Sequence, residues 1–92
     1  MTTFRNIKKI PAKLLYDILK STFPQFLKEG IKYKKALSYG LTEDSTSIQD
    51  VHGTELYHVT VTPEEITIHK LIDKNKAMDE QLEKFIHACL LQ

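Results

Sequence analysis

Apolar residues recur along this chain with two different spacings, and the switch between them divides it into helix, sheet and helix. Over "PAKLLYDILKSTF", Leu14, Leu15, Ile18, Leu19 and Phe23 follow the helical repeat of about 3.6 residues, and Pro11 suits the start of such a helix. Pro24 has no N–H for the carbonyl of Lys20 and its ring crowds that turn. This predicts a kink or an end near Thr22, then a short restart through Phe26 and Leu27 that stops at Gly30. Phe4, Ile7 and Ile10 extend the apolar stripe upstream.

From Ile31 the spacing drops to two. Ile31, Tyr33, Leu37 and Tyr39 alternate with Lys32, Lys34, Ala36 and Ser38, with only Lys35 out of phase, and a strand is expected. "TEDSTS" then reads as a polar loop and "SIQDV" as a short strand turned at His52-Gly53. The strongest β pattern comes next: "ELYHVTV" and "ITIHKLI", rich in β-branched residues, flank "TPEE", whose proline fits the second position of a turn. With Thr62, Pro63, Glu64 and Glu65 as the turn, Val61 faces Ile66 and His58 falls opposite His69. Tyr57, Val59, Val61, Ile66 and Ile68 then share the apolar face.

After Asp73, a predicted N-cap, helical spacing returns in Met78, Leu82, Phe85, Ile86, Cys89 and Leu90. The order helix, strands, helix predicts one α+β domain over residues 1–92. Its expected form is an antiparallel sheet of three or four strands, with an N-terminal kinked helix and a C-terminal amphipathic helix packed on one face.

Composition narrows the class. At 92 residues, 41% apolar and 27% charged, the chain can bury one modest core and is too apolar for disorder. No apolar run is long enough to span a membrane, so no membrane partner is expected. Cys89 is the only cysteine, which excludes an intrachain disulfide and points to a reducing, cytoplasmic setting.

The net charge of +1 hides a lopsided distribution. Residues 1–40 carry nine Lys or Arg against two acids, whereas residues 41–92 carry four against ten. Either the basic half meets an external anion, or the two halves face one another within the fold or across a two-fold dimer.

Candidate chemistry is sparse. His87 and Cys89 lie two apart on a helix and diverge, the first to the wet side and the second to the apolar stripe, so they form no base and nucleophile pair. The doublets Glu43-Asp44, Glu64-Glu65 and Asp79-Glu80 diverge too and read as solvating groups. Glycines 30, 40 and 53 make no phosphate cradle, and no GxSxG, CxxC or HExxH motif is present. No enzyme, cofactor or metal site is therefore expected. His58 and His69 could supply two metal nitrogens, with His52 or Glu55 as a further ligand, but one loop residue more or less would part them, and they are read as solvent-side histidines because the other face of the sheet is the apolar one.

Lys8, Lys9, Lys13, Lys32, Tyr33, Lys34 and Lys35 are the candidate nucleic-acid-binding residues, since single strands are held by cations and aromatic faces. A strand would turn the tyrosines and Lys32 and Lys34 to opposite faces, and a pI near 7.9 is low for a dedicated binder. The leading expectation is a small, non-enzymatic protein–protein interaction or regulatory module that docks onto another protein, including itself as a homodimer. Nucleic-acid binding is the alternative, and a small enzyme or metal-binding protein ranks third.

Overall fold

The computed structural model describes residues 1–27, 37–71 and 76–91. In chain order these form β1 (Thr2–Arg5), α1 (Ala12–Phe26), β2 (Ser38–Leu41), β3 (Ser45–Gln49), β4 (Glu55–Val61), β5 (Glu65–Lys70) and α2 (Lys76–Leu91). The strands join in one antiparallel sheet in the order β1-β5-β4-β3-β2. The architecture is α+β, as the periodicity predicts, but the sheet has five strands where three or four were expected.

The unexpected strand is β1. Its four residues hold a single large apolar side chain, Phe4, too little to register as an alternating pattern. Pairing settles its conformation instead: the free edge of β5 offers backbone donors and acceptors, and Thr2 to Arg5 meet Ile68 to Glu65 in antiparallel register. Phe4, Ile7 and Ile10 therefore do not extend a helical stripe. Phe4 packs on the core from the sheet, Ile7 is exposed, and Ile10 is buried just before α1.

Helix α1 does not end near Thr22 but continues to Phe26 with Pro24 inside it. Pro24 lies two residues from the helix end, so the turns beyond it are few, and the Leu27 N–H closes the helix on the Phe23 carbonyl at 3.1 Å. The predicted stop at Gly30, residues 31–36 of the strand expected from Ile31 to Tyr39 and the cap at Asp73 lie outside the described residues, while Ser38 and Tyr39 begin β2.

Alternation assigns the two sheet faces. One face carries Phe4, Ile66, Ile68, Tyr57, Val59, Val61, Ile48 and Tyr39, and against it pack Leu15, Leu19 and Phe23 of α1 and Met78, Leu82 and Ile86 of α2. Phe23 meets Phe85 edge-on with ring centres 5.1 Å apart, which ties the two helices together over the sheet. Each fully buried aliphatic or aromatic side chain of this core contributes about 1.5–3 kcal/mol.

Between β3 and β4 the register shifts, with Ile48 opposite Tyr57 but Gln49 opposite Glu55. Leu56 is the extra residue of this bulge, so Leu56 and Tyr57 are both buried in succession. The turn before it is closed by Asp50, whose Oδ1 accepts from the N–H groups of His52 and Thr54 at 2.9 and 3.0 Å, while Gly53 takes a φ of 79° that side chains disfavour. Among the described residues, no helix is long and apolar enough to cross a membrane.

Candidate interaction surface

Both helices lie on the apolar face, and among the described residues no element covers the other sheet face, called the bare face below. The hairpin register that Thr62 to Glu65 predicts is the register observed: Val61 pairs with Ile66, and His58 with His69. Cross-strand rows on the bare face follow from it. One row runs from Thr3 through Thr67 and Thr60 to Ser45, and the next from His69 through His58 and Ser47 to Gly40. Thr3 and Thr67 place their hydroxyl oxygens 3.3 Å apart.

A Cβ at Gly40 would come within 2.6 Å of Ser47 Oγ, so any other residue there would make Ser47 turn aside. The strands β3 and β2 complete the face with Gln49 and Ser38. No Lys, Arg, Asp or Glu occupies these rows. The charged groups stand at the margins: Arg5 opposite Glu65 at one end, and Glu55 opposite Gln49 at the other.

The helix side offers two further features. An open groove of about 370 Å³ lies between the helices, lined by Ile18, Thr22 and Phe26 of α1 and Phe85, Ala88 and Cys89 of α2. At the opposite end, Tyr57 donates its hydroxyl hydrogen to Asp79 Oδ1, and Lys70 Nζ lies 3.1 Å from Asp79 Oδ2. Glu83, one turn on, accepts from Thr2 Oγ1 at 3.4 Å. This polar group fastens the first turn of α2 to the sheet. The Asp79-Glu80 doublet thus splits, with Asp79 turned inward and Glu80 left in solvent. The signal available in the sequence was Tyr57 itself, an inner-face tyrosine whose hydroxyl needs a partner.

The candidate cationic residues are only partly brought together. Lys8 and Lys9 sit in the β1–α1 connection, where Lys9 has a φ of 54°, and Lys13 follows in the first turn of α1, paired with Asp17 at 3.1 Å. Lys32, Tyr33, Lys34 and Lys35 lie outside the described residues. The β1–α1 connection shares its end of the sheet with two acidic turns. The Asn6 N–H bonds the Glu64 carbonyl and the Val61 N–H bonds the Asp44 carbonyl, each at 2.8 Å. Basic and acidic segments that are separate in sequence are interleaved there.

Cys89 packs half-buried against the core, and burial pushes its thiol up while the Lys8 ammonium opposes that rise. His87 is exposed and stacks on Phe4 with ring centres 6.4 Å apart, so the two residues diverge as expected. Tyr39 projects inward from β2, where burial pushes its phenol up to about 12, and its hydroxyl has no hydrogen-bond partner among the described residues. Comparison with protein-family models, curated proteins and solved structures returns no match.

Proposed function

We propose that this chain is a small, non-enzymatic protein–protein interaction module that docks through the bare face of its sheet, with a second copy of itself as the partner. One observation carries the reading. In a chain with 27% charged residues, the middle of a five-stranded face holds only threonine, serine, histidine, glutamine and glycine. Surfaces built only to stay in water are normally rich in lysine and glutamate, whereas the centre of a protein interface is depleted in charge and its rim is not. Arg5, Glu65 and Glu55 hold such rim positions here. A flat face of small side chains is also self-complementary, as a two-fold contact requires.

The reading does not rest on opposite charge in the two halves of the chain. The backbone after Arg5 meets the turn at Glu64, and Lys13 is paired with Asp17 on the surface, so the basic start of the chain does not stand apart from acidic groups. Regulation by such a module would come from occupying a surface, not from chemistry, in the cytoplasmic setting that a lone cysteine fits.

Light scattering of the full chain at two concentrations tests the proposal, with the mass expected to approach that of a dimer at high micromolar protein. Thr67→Glu, which places a carboxylate in the middle of the face without touching the core, should return the mass to that of a monomer. A wild-type monomer at high micromolar concentration overturns self-docking.

A further inference from the structure

Two imidazoles meet at the centre of the bare face. His58 and His69 are direct cross-strand partners, with ring centres 6.2 Å apart and ring planes inclined at 53°. Both are partly exposed, so an ion can reach them from solvent. Sequence reading places them on the solvent side with His52 or Glu55 as the nearest further group. The structure puts Glu55 beside the pair: its Oε1 lies 2.8 Å from His58 Nδ1. A carboxylate oxygen can only accept, which puts the proton on Nδ1 and leaves the Nε2 lone pair free and oriented. This is the arrangement by which an outer carboxylate fixes the tautomer and ring orientation of a metal-binding histidine.

The geometry points to a surface site for one borderline divalent transition-metal ion, such as Zn²⁺, Ni²⁺ or Cu²⁺, held by the imidazoles of His58 and His69 with Glu55 orienting His58. Two imidazoles bound to one tetrahedral ion at ~2.0 Å have ring centres ~5 Å apart, so small rotations of the two side chains close the pair on an ion. Two nitrogen donors select such metals over Mg²⁺ and Ca²⁺, which need several oxygens. Among the described residues no group of three or more His, Cys, Asp or Glu could enclose an ion, so water takes the remaining positions and the site stays open. The inference stands on the pair alone, but the site shares the face proposed for self-docking, so zinc and a second copy compete for it and the titration is run at low micromolar protein, where the monomer prevails.

The test is a Zn²⁺ titration of the full chain followed by the imidazole NMR signals of its four histidines. His58 and His69 should shift together at micromolar zinc, with His52 and His87 unmoved. His58→Ala and His69→Ala should each weaken binding by at least tenfold, and Glu55→Gln by roughly tenfold. All three positions are partly exposed, so circular dichroism should report unchanged folding in each variant. The site is overturned if micromolar zinc moves neither signal, if His52 or His87 responds in their place, or if His69→Ala binds zinc as tightly as the wild type.

Discussion

The side-chain amide of Asn6 donates to the carbonyl of Thr62 at 2.9 Å, joining the end of β1 to the turn of the β4–β5 hairpin. The same amide nitrogen donates to the Ile10 carbonyl at 3.0 Å, and Asn6 Oδ1 accepts from the Ile10 N–H at 2.9 Å. Asn6 is only 1% exposed, so water cannot replace these partners. Asn6→Ala should therefore cost about 2–4 kcal/mol, read as a lower urea midpoint at unchanged slope. A loss below ~0.5 kcal/mol would show that the contact holds nothing in place.

Asp79 gathers the Tyr57 hydroxyl and the Lys70 ammonium at the start of α2, with only 14% of its side chain exposed. Asp79→Ala leaves both groups without their shared carboxylate and should cost about 2–3 kcal/mol. Tyr57→Phe keeps the ring in the core and the Lys70 contact, and should cost about 1–2 kcal/mol. Denaturant titration of the two variants checks the order. A Tyr57→Phe loss larger than that of Asp79→Ala would contradict it.

Tyr39 shows the opposite balance. Burial raises its phenol to about 12 from an ordinary 10.0, so the folded state holds that proton more tightly than the unfolded chain does. The stability tied to this proton is intact below pH 10 and is lost as pH rises from there toward about 12. Its hydroxyl lacks a partner among the described residues, so Tyr39→Phe should be neutral or stabilising by up to about 1 kcal/mol and should flatten that alkaline decline. Unfolding curves across the alkaline range decide; a destabilised Tyr39→Phe would mean that the hydroxyl is bonded.

Cys89 should react slowly with iodoacetamide at neutral pH, because burial keeps its thiol protonated above the ordinary range. Lys8 opposes this rise, so Lys8→Ala should move the midpoint of the alkylation profile further up and Lys8→Arg should leave it in place. An unchanged profile in Lys8→Ala would remove Lys8 from the surroundings of the thiol.

What could be read in advance follows from the range of each interaction. The His58–His69 register could be counted outward from "TPEE", because a hairpin turn fixes every pair beyond it. The core faces of α1 and α2 were mostly legible for the same reason, since a periodic stripe repeats its signal several times, although Leu14, counted in the α1 stripe, is exposed. Strand β1 was not, because Thr2 to Arg5 become a strand only when the edge of β5 is beside them. Nor could Asn6 be singled out, as its partner Thr62 is remote in sequence. Where the charged segments meet could not be read in advance either, for a topological reason: β1 runs antiparallel to β5, which returns the connection after Arg5 to the turn at Glu64.

The account depends most on the bare, charge-free middle of the sheet being a contact surface between two copies of the chain. Dilution of the protein from high to low micromolar concentration, followed by backbone amide NMR, examines this directly. The account predicts that the signals of Thr60, Thr67, His58 and Ser47 move on dilution while those of Ala88 and Phe26, in the groove between the helices, stay fixed. Stationary sheet signals, or movement confined to the groove, would contradict it.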